Sequence, residues 1–211
     1  MLQACLYRSL VATLGTITLL CWVTPAQAQV MRMHMPRFVL LMDPAVKKEI
    51  KLTDEQDKKV QQELGDLIQE GPNGSKQLMI GPGQDLDDVD QRIEKLLNAE
   101  QIKRLYELHL QRIGYRGLTL PRVAKELKIS GDQEAKIESI LEEYQRKLME
   151  KMQEQQQEGG VIRVTPEMTA ELDREMAKEL EKTLTAEQKK KWEAMQGAKF
   201  TFSKRPAEKK D

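Results

Sequence analysis

The residue types best suited to chemistry stand close together near the start of the chain. Met31, Met33, His34 and Met35 place three thioethers and an imidazole within five positions. Soft sulfur and imidazole donors suit Cu(I), so this run is a candidate metal segment. It reads equally as a flexible Met-rich stretch over 29–42 whose methionines are incidental. His109 is the other histidine, and it lies in a helical pattern with no nucleophile motif beside it. The sequence has no His-x-x-x-His pair, no Gly-x-Ser-x-Gly and no phosphate-binding Gly-Lys-Ser/Thr loop. Carboxylates are too abundant for any pair to stand out. No enzyme and no cofactor are therefore expected.

A second pattern recurs four times. It consists of Leu52-Thr53-x-x-Gln56, Leu97-Asn98-x-x-Gln101, Ile129-Ser130-x-x-Gln133 and Leu184-Thr185-x-x-Gln188. Thr, Asn or Ser at a helix N-cap accepts a hydrogen bond from a free N–H of the first turn. Gln three residues later reaches back to the cap's own N–H. The apolar residue before the cap can staple the entry. The box is then a capping device that starts a helix, or a site presented at the helix start; both readings stand.

The elements around these boxes form a duplication. Residues 43–64 align with 120–141 at an offset of 77, matching Pro44 with Pro121, Val46 with Val123 and Lys51 with Lys128. Residues 93–105 align with 180–192 at an offset of 87. Apolar residues recur at helical spacing in Val60, Leu64, Leu67, Ile68, in Ile137, Leu141, Tyr144, Leu148, Met152, and in Leu172, Met176, Leu180, Leu184. These narrow stripes predict long helices in thin antiparallel pairs. Asp43-Pro44 predicts a further short helix, with Asp as cap. Gly71-Pro72-Asn73-Gly74 and Gly81-Pro82-Gly83 predict an irregular loop, and Val161–Val164 an extended connector. Asn73-Gly74-Ser75 also fits the glycosylation sequon. Met149, Met152, Met168, Met176 and Met195 either fill a thin core or face outward as an adaptable binding surface.

The expected fold is all-α: elongated antiparallel helical hairpins in two homologous halves. The expected organisation is a cleaved signal peptide (1–28), a flexible Met-rich segment (29–42), a first helical half (43–115), a second (116–198) and a charged tail (199–211), mobile from Ser203. Arg8, the apolar run 10–23 and Ala26-Gln27-Ala28 carry the leader reading. A run of fourteen residues falls short of the roughly 20 that span a bilayer. Both cysteines, Cys5 and Cys21, fall inside the leader, so the mature chain would form no disulfide.

Of 211 residues, 34 are Lys or Arg and 34 Asp or Glu, so no basic excess marks a nucleic-acid binder. Charged residues reach 32% and aromatics only 4%, which excludes a multi-span membrane protein and predicts a thin core.

Export, an all-helical chain and the repeated Leu-Thr-x-x-Gln box together resemble the LTxxQ-motif periplasmic family of Spy- and CpxP-like chaperone and envelope-stress proteins. The fullest matches are LTDEQ at 52–56 and LTAEQKKKWEAM at 184–195. Family protomers carry two boxes and pair into a curved dimer. Four boxes in one chain then imply two Spy-like halves forming a single-chain pseudo-dimer, either monomeric or a homodimer. The resemblance implies a periplasmic or secreted, ATP-independent protein that binds unfolded or envelope proteins. Two alternatives are a copper-binding or sensing protein, from Met31–Met35, and a structural module for one envelope partner.

Overall fold

The computed structural model describes residues 35–65, 67–70, 76–79, 85–157 and 166–203. The leader, Met31, Met33, His34, the sequon, both glycine-proline stretches and Val161–Val164 lie outside these residues. The fold is all-α. A 3-10 helix at Arg37–Met42 leads into α1 (Pro44–Glu49) and α2 (Asp54–Glu63). Two short strands follow, β1 (Ile68–Glu70) and β2 (Lys76–Leu78), then α3 (Leu86–Glu94) and α4 (Ala99–Ile113). A second 3-10 helix at Gly114–Thr119 opens the same order again: α5 (Pro121–Leu127), α6 (Gly131–Gln157), α7 (Pro166–Lys182) and α8 (Ala186–Met195). The two 3-10 helices are 77 residues apart at both ends, so the duplication extends upstream of the segment that aligns in sequence.

Each half has its own core. Phe38, Leu41, Val46, Val60, Leu64, Ile93 and Leu108 are buried in the first, and Leu110, Leu118, Val123, Leu127, Ile137, Leu180 and Trp192 in the second. Helix α4 serves both: Leu105 and Leu108 belong to the first core, Leu110 and Ile113 to the second. A boundary at 115/116 is therefore too late, because the shared helix carries the division between its two faces.

One expectation about the N-terminal end is corrected. The segment 29–42 is not flexible throughout. From Arg37 it is a 3-10 helix with Phe38, Leu40 and Leu41 buried. The buried Asp90 of α3 holds its start, accepting from the Arg37 and Phe38 N–H groups at 3.1 and 2.9 Å. Arg37 also pairs with Glu94. At the other end, Phe200 and Phe202 of the charged tail pack on the first core.

The stripe expected to carry α2 through Ile68 ends at Glu63. Leu64 caps the helix, Gly65 follows, and the chain turns into β1, which pairs with β2 antiparallel, Ile68 opposite Leu78. The irregular loop expected here thus contains a short hairpin. In the second half, Ile137, Leu141 and Tyr144 do fall on one helix, α6, against the core.

Candidate functional site

The four boxes are the most repeated constellation, and the fold brings them together in pairs. In each box the cap side chain accepts from the Gln N–H: Thr53 at 3.2 Å, Asn98 at 2.9 Å, Ser130 at 3.3 Å and Thr185 at 3.2 Å. In each, the Gln Oε1 accepts from the cap's own N–H at 2.9 to 3.1 Å. Leu52 and Leu97 pack on the first core, Ile129 and Leu184 on the second. That much is the capping box with its staple.

The glutamines then do something a capping box does not require. Gln56 and Gln101 face each other and exchange two hydrogen bonds, Nε2 to Oε1, both at 2.9 Å. Gln133 and Gln188 do the same at 2.7 and 3.0 Å. Each Nε2 spends its remaining hydrogen on a backbone carbonyl across the joint. Gln56 donates to Leu96, Gln101 to Lys51, Gln133 to Thr183 and Gln188 to Leu127. Every amide thus makes two donations and at least two acceptances, so no donor or acceptor is left unused. Each pair is a clasp that locks two helix starts together within one half. Sequence reasoning found the caps and missed the clasps. The available signal was the invariance of Gln in all four boxes, since Glu would cap equally well. An ionised Glu can only accept, whereas the amide both gives and takes across the joint.

The backbone before each first box is matched as well. Lys51 and Lys128 both adopt left-handed conformations, with φ of 54° and 52°. They carry the chain from α1 and α5 into the boxes at Thr53 and Ser130.

Met31, Met33 and His34 of the metal candidates lie outside the described residues. Of the four, Met35 alone is described: its side chain packs on the first core, and its carbonyl lies 2.7 Å from His109 Nε2. A carbonyl can only accept, so Nε2 carries the hydrogen. His109 is buried in α4 and ties the chain entry to that helix. Among the described residues no group of three His, Cys, Asp or Glu side chains is placed to hold a metal ion.

The second half carries an arm. Its core reaches Tyr144 in α6 and Met176 in α7. Beyond Tyr144, α6 continues for 13 residues, about 20 Å at a rise of 1.5 Å per residue. Arg116 fixes the root, stacked 4.7 Å over the Tyr144 ring and paired with Asp173 at 2.6 Å. Burial raises the Tyr144 hydroxyl pKa above its ordinary value, and Asp173 adds to the shift. Farther out, Leu148, Met152 and Met168 are half-buried and Leu172 is buried. Gln155 Nε2 reaches the Met168 sulfur at 3.4 Å. Met149 is 57% exposed; with Met79 it makes up the exposed large apolar residues among those described. The methionines thus divide. Met176 is core, Met195 lies at the core's edge, Met152 and Met168 line the arm, and Met149 faces solvent.

Among the described residues no helix is long and apolar enough to cross a membrane. No family model, no curated protein and no solved structure matches the chain.

Proposed function

We propose that this chain is an exported, ATP-independent chaperone-like protein of the LTxxQ type, which binds unfolded envelope proteins and performs no chemistry on them. Each half stands in for one protomer of a two-box relative, so the working unit is a single-chain pseudo-dimer. The observation that carries the reading is the arm. A two-helix hairpin outside the core has only one helix to cover each apolar stripe, so Leu172 is buried in its seam while Leu148, Met152 and Met168 are only half-covered. Methionine adapts to irregular apolar partners, and the Lys and Glu side chains around the seam keep such a surface soluble.

The test is aggregation of an unrelated denatured protein with and without residues 29–211, metal chelated and no nucleotide added. Suppression near stoichiometric ratio is expected, falling several-fold in Met149→Glu with helix content unchanged. Sedimentation should give a monomer.

One observation favours a second reading, a module for a single envelope partner. Among the described residues the exposed large apolar side chains are Met79 and Met149, short of the large patch that promiscuous binding uses. That reading predicts no general suppression and a single protein recovered by crosslinking from the envelope fraction.

A further inference from the structure

The chain after α8 turns at Gly197 (φ 64°) and runs extended across the first half. Phe200 and Phe202 point inward and are half-buried, while Lys199, Thr201 and Ser203 are exposed. The hydrogen bonds that hold this strap come from side chains, and they read its backbone. Gln111 Nε2 donates to the Ala198 carbonyl at 2.8 Å, and Gln111 Oε1 accepts from the Phe200 N–H at 3.0 Å. An amide that engages a carbonyl and the N–H two residues on imitates a neighbouring β-strand. Arg104 donates to the same Ala198 carbonyl at 2.9 Å. Asp43 accepts from the Ser203 N–H at 3.0 Å and from its hydroxyl at 2.7 Å. The aromatic rings meet edge to face at 5.0 Å, and the Arg112 guanidinium lies 5.1 Å over Phe202.

Backbone-directed bonds are indifferent to sequence. The two rings, set two residues apart, supply the selectivity. Neither ring is sealed in the way Phe38 is, at 0% exposure. We propose that this face of the first half, formed by α4 and Asp43, is a binding groove for extended polypeptide with aromatic residues two apart, and that residues 198–203 occupy it as a displaceable internal ligand. The groove is in the first half and does not depend on the arm. A tethered segment competes at the millimolar effective concentration typical of short tethers, so a partner must carry a better-matched segment or find the strap released.

The test uses a fluorescent peptide of residues 196–203, QGAKFTFS, and the full chain carrying Phe200→Ala and Phe202→Ala. That variant should bind the peptide at least tenfold tighter than the unaltered chain. The same peptide with alanine at both phenylalanine positions should not bind. Adding Gln111→Ala should remove the gain. Gly197→Ala provides an independent route to release, because its φ of 64° strains any residue with a Cβ, which would also press on the Glu107 carboxylate. The proposal is overturned if neither folded variant gains affinity, or if the gain survives Gln111→Ala. Loss of helical structure in both variants also overturns it, since the strap would then be an integral part of the fold.

Discussion

In the first half, α2 and α3 are 10 and 9 residues long, with the β1–β2 hairpin between them in the chain. In the second, the corresponding α6 and α7 run to 27 and 17 residues. Below that difference the halves agree closely. Each has a 3-10 helix, a short helix with Pro at its start, a left-handed lysine, two boxes and one Gln–Gln clasp. The clasp therefore closes the base of a hairpin whatever length rises from it. Satisfying the helix starts at one joint leaves the far ends free to diverge, and they have become a short β-hairpin in one half and an arm in the other.

The largest expected effect comes from breaking a clasp. Gln101→Glu and Gln188→Glu each keep the capping acceptor but lose both amide donations. They also set a carboxylate against the partner's Oε1 in a buried joint, at 5% and 9% exposure. A loss of about 3 kcal/mol is expected for each, combining unsatisfied polar groups with a poorly paired charge. Chemical denaturation measures it. Equal losses would establish that the two bases are equivalent modules. A loss confined to one would show that a single clasp carries both.

Leu172→Ala probes the arm. Leu172 is 6% exposed, in a seam one helix pair thick. About 2 kcal/mol is expected, the low end for a buried Leu→Ala, because a thin seam can collapse. Hydrogen exchange should quicken in 145–157 and 168–175 while α4 and α8 stay protected. Uniform loss of protection would mean that arm and base unfold as one unit, and the comparison between the halves would then hold only for shape.

The legible parts of this fold are those set by local chemistry. Thr53, Asn98, Ser130 and Thr185 announce helix starts because a cap acts within three residues. The offsets of 77 and 87 locate the elements because the repeat copies their order. The clasps were hidden because they join Gln56 to Gln101 and Gln133 to Gln188, 45 and 55 residues apart. No periodicity reports that separation. The strap was hidden for a related reason. Lys199 and Ser203 suggest a solvated tail, whereas the 87-residue offset already placed Phe200 and Phe202 over Ile113 and Tyr115. Ile113 ends α4 and Tyr115 follows it, and both pack on the second core, as Phe200 and Phe202 pack on the first after α8. An apolar pair at or just beyond the end of each half's last helix thus covers the other half.

Acid should distinguish those two covers. Burial pushes the Asp43 carboxyl up, but hydrogen bonds from Ser203 and Ala45 and the nearby Arg112 charge outweigh it, so its pKa lies below the ordinary 3.8. A carboxylate with a depressed folded pKa stabilises the fold above its unfolded value, and that contribution is lost as pH falls through the folded one. The strap should loosen below about pH 4, seen as averaging of the Phe200 and Phe202 ring signals by NMR. The matched position in the second half is Leu120, which has no side-chain cap, so Tyr115 on Trp192 should not respond. Asp43→Asn should make the strap's looseness independent of pH in this range.

The smallest effect tests the closest likeness between the halves. A non-glycine residue in the left-handed region costs roughly 1–2 kcal/mol, and Lys51 and Lys128 both sit there. Glycine relieves that strain but loses about 0.5–1 kcal/mol of its own in chain entropy. Lys51→Gly and Lys128→Gly should therefore each stabilise by about 0.5 kcal/mol, and the double variant by their sum, because the two turns share no partner. Thermal unfolding resolves a shift of this size when both changes are combined. A stabilised Lys51→Gly beside a destabilised Lys128→Gly would mean that the long arm of the second half needs its lysine at the root, and that the two bases, alike in backbone, bear different loads.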